Sequence, residues 1–298
     1  NALVWNLPDG PLVDQVGGIE DLQNRRLRAL SDANLEDDPV RLVRAPRFLA
    51  QLTGFELDHE TGGWIRALAP RVADAPKERI GQELSKLLAA PAADQGLRAL
   101  MDLGLFEPSA PVVERCDSRW LEENVDAAAR LSHPVGHPIA AALRTSGEEM
   151  RLGLLLRAWG TPRDDALSAY AWPRSVRRRG TSAAFLLEHT IAAVEAGPSH
   201  RRAFIHEAGE AFPAAIGLAA AIEPDHPGQR WWRLWQSRGP ELVDPEPLLS
   251  SREIADLLGL DPGPELGLAI DALIDVQVRG KVKTAKTAQR WLQRRHGG

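Results

Sequence analysis

Apolar residues recur at helical spacing along most of this chain, and strand-like patterning is confined to its first twenty residues. Residues 2–7 and 12–14 flank Asp9-Gly10 and read as a β-hairpin with a slightly long loop. From Ile19 onward the pattern is helical. Residues 76–89 place Ile80, Leu84, Leu87 and Leu88 on one face behind Pro76, and a further helix spans 92–103 with Gly104 as its cap. Ser250 and Glu253 form a capping box for a short helix ended by Gly259. Pro264 opens a longer helix with Leu266, Ile270, Leu273 and Ile274 inward, and Gly280 stops it. The longest apolar run, 211–222, is interrupted by Pro213 and falls short of the about 20 residues a membrane span needs, so it reads as a buried helix. Between 108 and 247 the pattern predicts helices joined by proline-bearing loops at Pro134, Pro162, Pro173, Pro198 and 224–227, with no motif that carries chemistry. The fold class expected is mainly α, a multi-helical array behind a small N-terminal hairpin.

Composition adds bounds. With 298 residues and 44% hydrophobic content the chain can bury a large core, as two or three packed helical units. A lone Cys116 argues against a disulfide framework and for a reducing, cytoplasmic setting. The net charge of −5 does not advertise a nucleic-acid binder, but binding depends on local tracks of cations. Three exist: Arg25, Arg26 and Arg28; Arg174, Arg177, Arg178 and Arg179; and Lys281, Lys283, Lys286, Arg290, Arg294 and Arg295. Each alone is more often a solvated face. His133 and His137 are separated by Pro134 and Gly136 and lack a neighbouring acid, while His200 and His206 stand alone, so no metal site is expected. Trp231, Trp232 and Trp235 are spaced as core aromatics under a helix rather than as base-stacking platforms.

The most informative stretch is 36–48, where Asp38 is placed to cap a helix whose first residue is Pro39, and Arg41, Arg44 and Arg47 follow every third residue. A guanidinium can donate in plane to a base edge or fork onto phosphate, and a carboxylate can accept from an exocyclic amine. Taken alone, arginines in threes are more often solvated. Pro46 lies in the helix interior, a cost of ~3 kcal/mol or a kink, which blurs the aim of Arg47.

Around this helix stand Asn1-Ala2-Leu3, the run Asp14 to Leu22 with Gly17-Gly18, then Gly54-Phe55-Glu56-Leu57-Asp58 and Thr61, the run Glu78 to Leu88, and Leu103-Gly104-Leu105. In this order and spacing the series resembles the class II tRNA nucleotidyltransferase family of CCA-adding enzymes and bacterial poly(A) polymerases. The likeness is close over residues 1–107 and looser at 257–264 and the helix after it. The resemblance implies that Asp38 and Arg41 read the base edge of incoming CTP or ATP, and that Arg44 and Arg47 also contact the nucleotide. Asn1 would border the ribose, and Gly17 and Gly18 would be a hinge between catalytic head and neck. Glu83 and Lys86 would be structural. The partners implied are tRNA or another RNA 3′ end, with ATP and CTP as substrates, Mg2+ for the complete enzyme and no membrane; the basic tracks make Arg25, Arg26, Arg28, Lys281, Lys283 and Lys286 the residues expected to touch RNA.

The departures matter as much. The family's triphosphate-binding glycine-rich segment and its metal-holding Asp-x-Asp pair, both upstream of the residue that is Asn1 here, are absent from the chain, which also opens in mid-motif without methionine. The expectation is a fragment inactive by itself, since losing metal carboxylates removes nearly all nucleotidyl transfer. Arg157 and Ala158 occupy the places of a His-Asp phosphohydrolase pair found in many relatives, and neither can ligate a divalent ion, so no phosphohydrolase activity is expected. The divisions expected are a head remnant (1–18), neck and recognition helices (19–107), a helical body with a degenerate metal-binding region (108–247) and a tail (248–298). Two functions fit: a template-independent RNA nucleotidyltransferase adding C or A, and a non-catalytic helical RNA-binding protein derived from that family.

Overall fold

A computed structural model describes residues 3–5, 10–111, 116–132, 147–160, 164–192, 197–223 and 228–296. Strands β1 (Leu3–Trp5) and β2 (Leu12–Asp14) pair antiparallel with Leu3 opposite Asp14, as the hairpin pattern predicts. Val4 and Leu12 face outward, 57% and 50% exposed. After β2 the Asp14 carboxylate gathers three amides, those of Val16 (3.2 Å), Gly18 (2.9 Å) and Ile19 (2.8 Å). Between them Gly17 takes a left-handed φ of 77°, and helix α1 (Gly18–Gln23) begins.

The expectation that strand ends with the hairpin is corrected by β3 (Arg26–Leu27) and β4 (Glu56–Leu57), which pair in parallel. Two residues are too few to alternate, so the sequence carries no period there. The bridge rests on long-range backbone bonds, Glu56 N–H to Arg25 O (2.9 Å) and Asp58 N–H to Leu27 O (3.0 Å). Between these strands lie α2 (Asp32–Glu36), capped by the Ser31 hydroxyl, and α3 (Val40–Gln51), which runs through Pro46. Then follow α4 (His59–Leu68), capped by Asp58, a 3-10 turn (Ala69–Asp74), α5 (Lys77–Leu88) and α6 (Ala93–Asp102). The last two lie within a residue of the ends their apolar period predicts, and Gly104 closes α6 at φ 68°. Helix α3 packs on α5 and α6 through Leu42, Val43, Leu84, Leu87 and Leu97, all without exposed surface.

The middle of the chain is α7 (Ser118–Asn124), α8 (Asp126–Ser132), α9 (Gly147–Ala158), α10 (Asp164–Ser168), α11 (Arg174–Ala192), α12 (Pro198–Ala208), α13 (Phe212–Ile222) and α14 (Gly228–Val243). The apolar run at 211–222 is indeed a buried helix, α13. Pro173 precedes α11 and Pro198 opens α12, while Pro134, Pro162 and residues 224–227 lie outside the described residues. Trp231 is buried against Phe204 and Phe212, so the core reading of that aromatic cluster holds.

An aromatic series joins this middle part to α5. Phe106, Trp159, Tyr170 and Trp172 follow one another at centroid distances of 6.0, 6.3 and 5.0 Å. Trp172 Nε1 donates to Gly81 O at 3.0 Å and Tyr170 Oη to Ser109 O at 2.8 Å. Gly81 is needed here, because a Cβ at that position would lie 2.0 Å from the Tyr170 carbonyl oxygen.

Helices α15 (Ser251–Leu258), α16 (Pro264–Val278) and α17 (Ala285–His296) enclose a separate core built from Leu249, Ile254, Leu273 and Leu292. Its local signals read true: the Ser250–Glu253 capping box is formed, and Gly259 and Gly280 end their helices at φ 67° and 77°. The mainly helical class expected from the pattern is the class observed.

Candidate nucleotide-binding cleft

The first turn of α3 starts where Asp38-Pro39 predicts, with Arg41 N–H bonded to Asp38 O (2.9 Å) and Leu42 N–H to Pro39 O (3.1 Å). Leu42, Val43 and Ala50 face the core, and that burial fixes the rotation of the helix and hence the direction of its arginines. Arg41 and Arg44 line a cleft of about 450 Å³ together with Arg28, Asn34, Phe48 and Thr61, over an apolar wall of Leu27, Leu35 and Ile65. No carboxylate is among its lining residues. Arg44 is exposed and, among the described residues, has no carboxylate partner; its guanidinium lies 5.6 Å from the Phe48 ring centroid. Arg41 is steadied, its Nη1 donating to Asn34 O at 2.7 Å and its Nε lying 3.6 Å from Asp38 Oδ2.

Asp38 is not a lining residue but stands beside Arg41, Oδ2 3.6 Å from its Nε. The Arg79 guanidinium from α5 forks onto it, Nη1 to Oδ1 at 3.0 Å and Nη2 to Oδ2 at 2.9 Å. These bonds, above all, hold the Asp38 carboxyl below its ordinary 3.8. Arg79 has no signal in the sequence, since 41 residues separate it from its partner.

The remaining site residues fall elsewhere. Arg47, expected to touch nucleotide, is 8% exposed and not among the lining residues. It approaches Glu83 Oε2 to 2.5 Å at an angle that makes no hydrogen bond, donates to Gln51 Oε1 (2.6 Å) and stacks on Phe48 at 3.8 Å. Of the two residues expected to be structural, Glu83 sits in the α3–α5 contact, and Lys86 lies 3.5 Å from it on the same helix with a half-exposed side chain. Asn1 lies outside the described residues. Gly17 and Gly18, expected as a hinge, are the turn bound by Asp14.

The three basic tracks diverge in the structure. Arg26 and Arg28 both pair with Asp21 at 2.7 Å, and Arg28 also donates to Val16 O (2.7 Å) while reaching the cleft. Arg25 takes a positive φ of 51° and lies over Gly54. Arg178 and Arg179 are paired with Glu210 and Glu149. Lys281, Lys283 and Lys286 are exposed, with no carboxylate partner among the described residues. Beyond them on α17, Arg295 lies over Trp291 at 5.2 Å.

No group of three or more His, Cys, Asp or Glu among the described residues could hold a metal ion. At the degenerate His-Asp place Arg157 stacks over Trp120 at 5.1 Å and Ala158 is buried. His133 and His137 lie outside the described residues. No helix among the described residues is long and apolar enough to cross a membrane.

Comparison with known proteins adds a lineage to this geometry. A family model described as the probable RNA- and SrmB-binding site of polymerase A matches residues 54–116. The chain is 30% identical to a CC-adding tRNA nucleotidyltransferase of Thermus thermophilus, over all of this chain (100%) and 75% of that enzyme. It is 29% identical to an A-adding tRNA nucleotidyltransferase of Deinococcus radiodurans, over 95% of this chain and 74% of that one. Its fold is similar to the crystal structure of the Bacillus stearothermophilus CCA-adding enzyme in complex with CTP, with a TM-score of 0.69 at 25% identity, covering 96% of this chain and 69% of the other.

Proposed function

The chain belongs to the tRNA nucleotidyltransferase and poly(A) polymerase family, and on that footing we propose that it selects and holds the nucleotide for template-independent addition of C or A to an RNA 3′ end, tRNA above all. The observation that carries this reading is the acid-free cleft of Arg28, Arg41 and Arg44, with Asp38 held beside Arg41. Three guanidiniums, of which Arg28 and Arg41 are partly balanced by Asp21 and Asp38 outside the lining and Arg44 is not, favour a polyanion such as a nucleoside triphosphate. Phe48 and the wall of Leu27, Leu35 and Ile65 offer an apolar surface to a base. Arg41 donates and Asp38 accepts, which together match the edge of cytosine or adenine, where an exocyclic amine stands beside a ring-nitrogen acceptor.

In the reaction the RNA 3′-hydroxyl attacks the α-phosphorus of CTP or ATP and pyrophosphate leaves. Divalent metal supplies charge neutralisation when bound, and no group of three or more ligand side chains for it is found among the described residues. What this chain's residues do is bind, orient and discriminate. The exposed lysines at 281, 283 and 286 are the residues we assign to RNA phosphate, and tRNA as partner together with a lone Cys116 suits a cytoplasmic setting.

The test is equilibrium binding of CTP and ATP to the chain. The two nucleotides are expected to compete for one site, and Arg44→Ala to weaken both by about tenfold, the scale of one lost charge-assisted hydrogen bond. Unchanged affinity in Arg44→Ala would place the nucleotide elsewhere.

A further inference from the structure

Resting on that reading, we infer that Arg79 is a positioning residue for base selection: by forking onto Asp38 it fixes the plane of the carboxylate that accepts from the base, and keeps that carboxylate from collapsing onto Arg41. The fork comes from a different helix, α5, and meets both carboxylate oxygens at 3.0 and 2.9 Å. Such a two-pronged contact fixes orientation as well as distance. Arg41 Nε stands 3.6 Å from Oδ2. A carboxylate has about four acceptor directions. With two taken by the fork, the acceptor directions that remain are held in one plane beside a cleft arginine.

That aim decides chemistry. Cytosine and adenine carry an amine where uracil and guanine carry a carbonyl oxygen. A carboxylate held in one plane attracts the first and repels the second. Released from Arg79, Asp38 can turn about its terminal torsion and pair directly with Arg41, so that acceptor and donor satisfy each other instead of a base. Phosphate contacts through Arg44 would remain. Selection should therefore fall while affinity for the shared triphosphate survives.

Stability is a poor explanation for the same contact. The Arg79 and Asp38 side chains are 51% and 23% exposed, and exposed pairs contribute little to folding. The packing of α3 against α5 is carried by buried leucines instead.

The experiment is binding of CTP and UTP to the full chain and to Arg79→Ala, Arg79→Lys, Asp38→Ala and the double variant Arg79→Ala/Asp38→Ala, each with its thermal unfolding recorded. The unaltered chain is expected to prefer CTP. In Arg79→Ala the CTP-to-UTP preference is expected to drop by about tenfold, the scale of one hydrogen bond to a charged group, with little change in unfolding temperature. Arg79→Lys keeps the charge without the fork and is expected to leave the preference as low as Arg79→Ala does. In the Asp38→Ala background Arg79→Ala is expected to do nothing further, because the two act as one unit. Loss of preference in Asp38→Ala but not in Arg79→Ala would overturn the positioning role alone, as would full rescue by lysine or additive losses. No CTP preference in the unaltered chain, or an unaltered preference in Asp38→Ala, would overturn the base-reading role of Asp38 itself.

Discussion

Arg47 and Glu83 face each other across α3 and α5 with Nε 2.5 Å from Oε2, their side chains 10% and 12% exposed. The approach is close without the geometry of a hydrogen bond, so its worth is mostly mutual charge compensation in a dry contact. Removing one partner strands the other. Glu83→Ala is expected to cost ~3 kcal/mol in urea unfolding, whereas replacing both residues by leucine and methionine is expected to return most of that loss. A Glu83→Ala protein as stable as the unaltered chain would show that water already reaches the pair.

Acid titration gives a second outcome. Arg79's hydrogen bonds depress the Asp38 carboxyl in the folded chain relative to its ordinary 3.8. A depressed folded value means the contribution to stability is present above about 3.8 and is lost as pH falls through the folded value. Carbon-13 titration of the Asp38 carboxyl is expected to show its midpoint below 3.8 in the unaltered chain and higher in Arg79→Ala. Identical midpoints in the two proteins would mean that the fork does not persist in solution.

RNA contact is separable from nucleotide contact. Lys281, Lys283 and Lys286 are exposed and far in sequence from the cleft. Changing all three to alanine is expected to weaken tRNA binding and to flatten its dependence on log salt by about two units, at roughly 0.7 per phosphate contact. CTP affinity is expected to stay as it was. An unchanged salt slope would assign the RNA to another face.

Gly81→Ala is expected to destabilise the chain by at least ~2 kcal/mol, since the added methyl meets the Tyr170 carbonyl oxygen at 2.0 Å and that atom is backbone, which cannot rotate away. Differential scanning calorimetry checks it; a stable Gly81→Ala chain would require α5 to shift away from Tyr170.

Which of these relationships the sequence discloses follows from their range. Caps and stops are local, so Ser250–Glu253, Gly259, Gly280 and Gly104 could be read directly, as could α5 from its single apolar face. Helix α9 could not be delimited in the same way. Its residues from Glu149 to Leu156 are buried all round, charged ones included, so no polar face marks its period. The β3–β4 bridge and the Arg79–Asp38 fork join residues about thirty and forty apart, where neither spacing nor composition leaves a trace. Arg41 and Arg44 were legible as cleft residues because α3 is amphipathic. Arg47 lies on that same helix, but α5 covers it, and its burial belongs to the tertiary fold.

The stacked Tyr170–Trp172 pair, 5.0 Å between centroids with a 25° tilt, sits where α5 meets the rest of the chain, its indole bonded to Gly81. Two aromatic chromophores locked this closely couple their transitions and give a chiral near-ultraviolet band. Subtracting the spectrum of a Trp172→Phe protein isolates that band, so any ligand that pries α5 loose announces itself optically, without a label and in real time.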